Sequence, residues 1–148
     1  MKTIDAKNKD LKALNSALKK LDGIPVQVIN AEHLHGIAAG LKHGEIIIEG
    51  DAGDYLGVLN AGATIKVTKN AARYVADNMA AGTVIIEGNA DYGVGQYCYG
   101  GTIVVRGNVG DFTAVMNKGA AIIVGGNVGN EAATYMLKGD LVVVGNAG

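Results

Sequence analysis

Three histidines are the first residues whose type and spacing could bind a metal. His33, His35 and His43 lie close together in the sequence. A zinc site needs donors that converge on one point, usually with cysteine or carboxylate ligands among them. The segment around these histidines supplies no such set, so we interpret them as surface or end-cap residues and predict no metal site.

Cys98, the chain's only cysteine, is the one candidate for thiol chemistry. A single cysteine excludes an internal disulfide and is typical of a reducing compartment. Met79 and Met136 occupy the equivalent positions nineteen and thirty-eight residues away. We therefore interpret Cys98 as a packed thiol rather than a nucleophile.

A pair of glutamates raises the possibility of general acid–base catalysis. Glu49 and Glu87 are two 19-residue intervals apart, which is about 10 Å if each interval is one rung of a parallel sheet. That separation is near the range of an inverting glycosidase. Alternating surface charge is the favoured interpretation, and a sugar-processing enzyme stays as an alternative.

Three cations close together form a possible anion site. Lys66, Lys69 and Arg73 stand where other copies of the repeat described next carry apolar, glycine or mixed residues. They could receive an anion or an acidic partner surface. A solvated edge is the favoured interpretation.

All these residues are positioned by a repeat of 19 residues that runs from Glu45 to Gly148 without insertion or deletion. Such a period predicts a repeat architecture, in which each copy buries its apolar face against its neighbours. The first column of the repeat holds Gly50, Gly88, Gly107, Gly126 and Gly145, with Lys69 in the missing place. The second holds Gly53, Gly110 and Gly129 together with Ala72, Asp91 and Gly148. The third is small throughout: Ala38, Gly57, Ala76, Gly95, Ala114 and Ala133.

Two apolar columns predict one strand in each copy. The first begins with Ile46 and Ile65, and the second, two residues later, with Ile48 and Val67. Residues two apart share one face of a strand, so both columns point inward. A corner follows each strand, with a polar column that we expect to hydrogen-bond from coil to coil: Asp51, Asn70, Asn89, Asn108, Asn127 and Asn146. Further corner glycines are Gly62, Gly82, Gly101, Gly119 and Gly139. The sequence predicts an all-β fold, a parallel β-helix (solenoid) of 19-residue coils.

The column between the two inward ones should face solvent, yet it is mainly apolar. It reads Val28, Ile47, Lys66, Ile85, Val104, Ile123 and Val142. An apolar stripe of this length predicts that another chain covers it. The candidate interface therefore consists of this column from Ile47 onward, with Lys69 and Arg73. The last rung, at Asn146, predicts either a covering partner or a longer solenoid.

Residues 1–25 differ from the repeat, and we expect them to form an N-terminal strand/helix cap on a solenoid of residues 26–148. Leu11, Leu14, Leu18 and Leu21 share one helix face, and Gly23 and Pro25 should end the helix. We expect this short amphipathic helix to cover an open end or to lie along a flank.

Bulk composition excludes several classes of function. The net charge is −1, which gives no field to recruit nucleic acid or an anionic membrane. No signal peptide or membrane-spanning run is present in the sequence, so a cytoplasmic location is expected.

The triple-glycine spacing Gly50-x-x-Gly53-x-x-x-Gly57 resembles the GXGXG domain at the C-terminus of glutamate synthase large subunits. Phrases such as the run from Ile85 to Ala90 are similar to that domain, and the resemblance covers residues 26–148. One of the subunits of formylmethanofuran dehydrogenase and the small subunits of N-methylglutamate synthase-type enzymes belong to the same family. The resemblance, rather than the spacing, favours the right-handed form of the solenoid.

The resemblance implies a structural role, since no residue of the family motif is catalytic. It implies a non-catalytic subunit of a glutamate synthase-like oxidoreductase complex of amino-acid metabolism. The partners would be a glutamine amidotransferase-type subunit and a synthase-type subunit that carries FMN and iron–sulfur clusters. This chain would bind no cofactor itself. The alternatives are a subunit of a formylmethanofuran dehydrogenase-type complex and a self-associating scaffold, that is, a homo-oligomer.

Overall fold

The structure is a computed structural model that describes residues 1–21 and 23–148. Within these residues, eight parallel strands form one sheet whose spatial order follows the sequence order. The strands are β1 (Lys2–Asp5), β2 (Val26–Ile29), β3 (Glu45–Glu49), β4 (Ala61–Val67), β5 (Ala81–Ile86), β6 (Thr102–Val105), β7 (Lys118–Val124) and β8 (Lys138–Val143). Consecutive strands can pair in parallel only if the chain makes a full turn between them. The predicted β-solenoid is therefore confirmed.

The register of the sheet confirms the 19-residue coil from β3 onward. Ile46 pairs with Ile65, and Ile65 with Val84. The two inward columns are buried in the middle of the rod, where Ile65 and Val67 are both 0 % exposed. β-branched side chains dominate these columns because they pack well on a pleated surface.

The first coil, from β2 to β3, is one residue longer than the coils that follow it. Val26 pairs with Ile46, and Val28 pairs with Ile48. Val28 is consequently buried in the core, and Gln27 takes the outward position beside Ile47. The prediction that Val28 begins the outward column is wrong, because a one-residue change of register moves a side chain to the other face of the strand.

A helix, α1 (Leu11–Lys20), covers the N-terminal end of the core. It begins where the Asp10 side chain accepts a hydrogen bond from the Ala13 N–H (2.8 Å), a standard helix cap. Leu14 and Leu18 are buried. The Asn15 side chain donates to the Gly36 carbonyl (3.0 Å) and accepts from the Ala38 N–H (2.8 Å). These contacts with the first coil show the helix at the end of the rod.

On the side away from the sheet, each coil is closed by a segment with positive φ at every second residue. In the second coil these residues are Tyr55, Gly57 and Leu59, with φ of 58°, 68° and 59°. The Val58 N–H donates to the Tyr55 carbonyl (3.2 Å), and the Asn60 N–H donates to the Gly57 carbonyl (3.0 Å). Such overlapping type II turns need positive φ at their third residue. We call these turn segments; the others occupy residues 36–40, 74–78, 93–97, 112–116 and 131–135.

Candidate docking surfaces and the glycine motif

The asparagine column forms a continuous ladder along one corner of the rod. In each step a side-chain oxygen accepts a hydrogen bond from the backbone N–H of the next member of the column. The steps are Asp51 to Asn70 (3.0 Å), Asn70 to Asn89 (2.8 Å), Asn89 to Asn108 (2.8 Å), Asn108 to Asn127 (2.8 Å) and Asn127 to Asn146 (2.9 Å). The bonds thus join side chain to backbone, so each rung is fixed by the one before it.

This ladder explains the first glycine column. A Cβ at Gly107 would collide with Asn89 Oδ1, and a Cβ at Gly126 would collide with Asn108 Oδ1. Lys69 stands in the same column and keeps the backbone connections, since its N–H donates to the Gly50 carbonyl (3.2 Å) and its carbonyl accepts from the Gly88 N–H (2.8 Å). At Gly88, Gly107, Gly126 and Gly145 the glycine therefore makes room for the ladder side chain of the preceding coil.

The second glycine column lies against a second set of polar side chains. The Arg73 N–H donates to Asp54 Oδ1 (3.0 Å), and the Asn130 N–H donates to Asp111 Oδ1 (2.7 Å). A Cβ at Gly129 would collide with that Asp111 oxygen. Close approach of a polar side chain again excludes a larger residue.

The third column is small for a different reason. Gly57 and Gly95 have positive φ, and a Cβ at either would meet core side chains, at Gly95 the Cδ1 of Ile122. The glycines of the three columns whose Cβ would collide with a neighbour are therefore packing positions.

A comparison with protein-family models matches residues 26–148 to the GXGXG motif family. The chain belongs to the GXGXG motif family. This family matches the C-terminal domain of glutamate synthases. No curated protein matches the chain. The matched residues include the ladders and turn segments described above.

Two of the three cations considered as an anion site pair with carboxylates of this GXGXG chain. Arg73 binds Asp54 with two hydrogen bonds, Nε to Oδ1 (3.2 Å) and Nη2 to Oδ2 (2.9 Å). This guanidinium holds the pKa of Asp54 below its usual range. Lys66 Nζ lies 3.5 Å from Glu87 Oε1. Lys69 borders a groove that also contains Glu49 and Asp51. Carboxylates therefore already neutralise or adjoin these cations.

Glu87 is poorly suited to act as a catalytic acid. Arg106 Nε lies 2.8 Å from Glu87 Oε2, and this hydrogen bond lowers the pKa of Glu87. The acid of a glycosidase needs a raised pKa. The geometry therefore does not favour the sugar-processing alternative.

The remaining candidate chemical groups have structural surroundings. Cys98 is 0 % exposed, its Sγ lies 3.1 Å from the Ala76 carbonyl oxygen, and burial raises its pKa to about 12. His35 Nδ1 accepts a hydrogen bond from the Asp54 N–H (2.8 Å), and His33 Nε2 lies 3.3 Å from the Lys9 carbonyl. His43 borders a pocket between α1 and the first coil.

Across residues 1–21 and 23–148, no cluster of three or more His, Cys, Asp or Glu side chains could hold a metal ion. None of the helices in that part of the chain is long and apolar enough to cross a membrane.

Two buried asparagines are important residues that the sequence analysis did not single out. Asn117 accepts hydrogen bonds from the N–H groups of Gly119 (3.1 Å) and Ala120 (2.9 Å), and it donates to the Ala120 carbonyl (2.9 Å). Asn60 makes the same three bonds three coils earlier. The sequence signal is the phrase Asn-x-Gly-Ala, which occurs at both places.

The outward column of the sheet forms the first candidate docking surface, which we call the sheet surface. Ile47, Lys66, Ile85, Val104 and Ile123 are half-buried by their neighbours, and Val142 is exposed. These side chains align in register across adjacent strands. The result is an apolar strip along the rod that Lys66 interrupts.

A second apolar surface was not anticipated from the sequence. It lies along the turn segments and the residues that follow them, and we call it the turn surface. Its exposed members are Tyr55, Leu59, Tyr97, Tyr99, Phe112, Tyr135 and Leu137. The sequence signal is a large apolar residue at recurring positions of the 19-residue repeat.

Proposed function

We propose that this chain is a structural subunit of a glutamate synthase-like oxidoreductase complex. Its role is to hold an amidotransferase-type subunit and a synthase-type subunit, which carries the FMN and iron–sulfur clusters, at a fixed separation. Membership of the GXGXG motif family supports this proposal. No residue of this chain is assigned to a cofactor.

The observation that carries the proposal is the sheet surface. Parallel sheets usually have both faces covered, since their strands are apolar on both sides. Here the inner face is the core, and the outer face presents Ile85, Val104 and Ile123 in adjacent strands. A partner that covers this strip would complete the arrangement.

The rod suits a spacing role because each coil is fixed to the next. The sheet hydrogen bonds join adjacent coils, and from Asp51 onward the asparagine ladder joins them as well. Sites placed on rigid elements hold their relative positions better than sites on loops. A partner docked on the rod would thus keep a constant orientation.

The test is affinity purification of the tagged full chain from its native cells, with identification of the recovered subunits by mass spectrometry. A triple variant Ile85→Thr, Val104→Thr, Ile123→Thr keeps β-branched residues in the strands but removes the apolar strip. We expect the unchanged chain to recover amidotransferase-type and flavin or iron–sulfur subunits, and the triple variant to lose at least one of them.

The matched control is the pair Leu59→Asn and Tyr97→Asn on the turn surface, which should retain the partners. Recovery of subunits from an unrelated complex would contradict the proposal. Equal recovery by the triple variant would show that the sheet surface is not the docking site.

A further inference from the structure

The turn segments of adjacent coils are joined by one hydrogen bond that recurs along the rod. The backbone N–H of the third residue of a turn segment donates to the carbonyl of the second residue of the preceding turn segment. These bonds run from Gly57 to Ile37 (2.9 Å), Ala76 to Leu56 (2.8 Å), Gly95 to Val75 (2.9 Å), Ala114 to Val94 (2.8 Å) and Ala133 to Thr113 (2.7 Å). Each of these turn segments therefore uses a carbonyl supplied by the coil before it.

At the first turn segment, residues 36–40, a side chain of α1 takes the place of that carbonyl. Ala38 is its third residue, and the Ala38 N–H donates to Asn15 Oδ1 (2.8 Å). The same side chain donates through Nδ2 to the Gly36 carbonyl (3.0 Å). An asparagine side chain carries a carbonyl acceptor and an N–H donor, as a peptide unit does. Asn15 thus reproduces a backbone contact that a preceding coil would make.

The same helix covers the apolar end of the core. Leu14 and Leu18 are buried, and Leu41, which borders the same pocket as Leu18, is buried as well. Met136, the counterpart of Leu41 in the last described coil, is only half-buried. With β1 as an additional strand of the sheet and α1 over the core, residues 1–21 replace a coil. We call them the N-terminal cap.

The N-terminal cap leaves two carbonyls of the first coil available. In later coils, the N–H groups of the first and fifth residues of a turn segment donate to carbonyls of the next coil. Examples are Phe112 to Asn130 (2.9 Å) and Met116 to Thr134 (2.9 Å). The equivalent carbonyls of the first coil belong to His35 and Ala39, and no backbone N–H of residues 1–21 or 23–148 donates to either.

The last described coil presents the complementary groups. Within the part of the chain that the structure describes, the N–H groups of Glu131 and Tyr135 have no backbone acceptor, and the Ala132 carbonyl has no backbone donor. Leu141 and Val143 continue the two inward columns but are only half-buried. These are the groups through which the earlier coils of the rod join one another.

We propose that the N-terminal cap blocks end-to-end association of this chain by occupying the place that the last coil of a second copy would otherwise fill. In its absence, the Ala38 N–H would donate to the Ala132 carbonyl of the second copy. The carbonyls of His35 and Ala39 would accept from the two available N–H groups of that copy's last turn segment, and its β8 would pair with β2 in place of β1.

Such a contact joins two different surfaces, so it can repeat without closing and would build a filament of rods. Natural sheet proteins cover or shorten their exposed edges and so prevent pairing of this kind. The blocking role is independent of the proposed function, because it concerns the end of the rod and leaves the sheet surface free.

The first experiment removes the N-terminal cap from the folded full chain. A protease recognition sequence is inserted between Gly23 and Ile24, both of which are exposed, and the released peptide is separated by gel filtration in mild denaturant. After return to buffer, sedimentation velocity should show oligomers that grow with concentration, whereas the uncleaved protein with the same insertion should keep its size. A synthetic peptide of residues 1–23 should dissociate the oligomers.

The role of Asn15 is measured with variants of that peptide. Asn15→Ala removes the acceptor for Ala38 and the donor to Gly36, so about tenfold more peptide should be needed to dissociate half of the oligomers. Lys12→Ala, on the exposed side of α1, is the matched control and should act like the unchanged peptide.

A variant at the other end of the rod tests which surfaces associate. Leu141→Lys with Val143→Lys places two charges on the last coil and leaves the first coil unchanged, so the cleaved double variant should keep the size of the uncleaved protein. Three results would each overturn the proposal: a cleaved, unsubstituted protein that does not associate, oligomers of equal size in the double variant, or equal action of the Asn15→Ala peptide.

Discussion

Single glycines in this protein are fixed by a neighbour one coil away rather than by a neighbour in sequence. Gly107 is required by Asn89, and Gly129 by Asp111, because the polar side chain of the preceding coil occupies the space of a Cβ. The glycine motif looks like the signature of a local loop, but its glycines are required by contacts between adjacent coils.

Replacing Gly107 with alanine should destabilise the protein, and the cost should depend on Asn89. The added methyl group displaces the Asn89 amide from the Asn108 N–H, so we expect a loss of about 2 kcal/mol in the free energy of unfolding. Asn89→Ala alone should cost about 1 kcal/mol. The double variant should cost about 1 kcal/mol less than the sum, because both changes break one bond. Equilibrium urea denaturation measures all three.

The control combines Gly107→Ala with Asn70→Ala. The Asn70 side chain accepts a hydrogen bond from the Asn89 N–H and lies against Gly88, one coil before Gly107. These two effects should add within about 0.5 kcal/mol. Additivity in both pairs would show that Gly107 and the Asn89 side chain do not share a contact.

At the scale of elements, two of the strands begin with an irregular register. The pairing shifts between Ala61 and Thr64 in β4 and between Lys118 and Ala121 in β7. Asn60 and Asn117 precede these shifts and bond the backbone groups that the shifts leave without a partner in the sheet. The corner glycine comes one residue earlier in these two coils, at Gly62 and Gly119, than at Gly82 or Gly101.

Replacing Asn117 with methionine should therefore be costly, although Met79 and Met136 fill the equivalent positions of other coils. The side chain would fit, but the N–H of Ala120 and its carbonyl would lose their buried partners. We expect a loss of about 2–4 kcal/mol, at about 1–3 kcal/mol for each unsatisfied buried group. Thermal and urea unfolding measure this loss.

The reverse change, Met79→Asn, places an amide in a coil whose strand has no shift of register. The amide would lack backbone partners there, so this variant should also be less stable than the unchanged protein. If Asn117→Met were neutral, the backbone of β7 would have to adopt the register of the other coils. Hydrogen exchange at Ala120 would report that rearrangement.

The strands could be predicted from the sequence, whereas the turn segments could not. Strands such as β5 and β6 repeat a period of two inside a period of 19, so both their register and their buried face were readable. The turn segments place Tyr55, Tyr97 and Phe112 at positive φ, a conformation that usually signals glycine or asparagine. The coil-to-coil hydrogen bonds of each turn segment impose this geometry, and those bonds involve residues far apart in sequence.

The outward column of the sheet was likewise predicted only in part from the sequence. Its members from Ile47 onward were located correctly as outward positions, but Val28 was not, because the first coil carries one additional residue. The turn surface was missed because its side chains could be assigned to the exterior only once the turn geometry was known.

At the scale of the whole molecule, the rod is a stack in which each coil contacts only its neighbours. Stability in such a stack is close to a sum of coil and interface contributions, and its ends open first. At the N-terminal end, α1 buries Leu14 and Leu18 against the first coil. The helix therefore protects the first strands from fraying.

Leu14→Ala should loosen this end selectively. A cavity from a buried leucine costs about 2–5 kcal/mol, and in a stack that cost is borne mainly by the nearest coils. Hydrogen exchange measured by mass spectrometry should show faster exchange in β1 and β2 and little change in β6. Lys12→Ala, on the exposed side of the same helix, is the control. Equal acceleration along all strands would show instead that the rod unfolds as a single cooperative unit.

The uninterrupted spacing from β3 to β8 also restricts which changes in chain length the protein can accept. In each coil the buried face, the ladder corner and the turn surface are aligned with those of the coil before it, so an insertion of one residue within a strand would turn the following side chains of that strand to the wrong face. Inserting or deleting a whole 19-residue unit keeps all surfaces in line and changes the length of the rod by about 4.8 Å, one strand spacing. The additional residue of the first coil is accommodated between Ile29 and Gly36, outside the strands and the turn segment. Length in this protein can therefore evolve in steps of one coil, which offers a direct way to build longer or shorter variants.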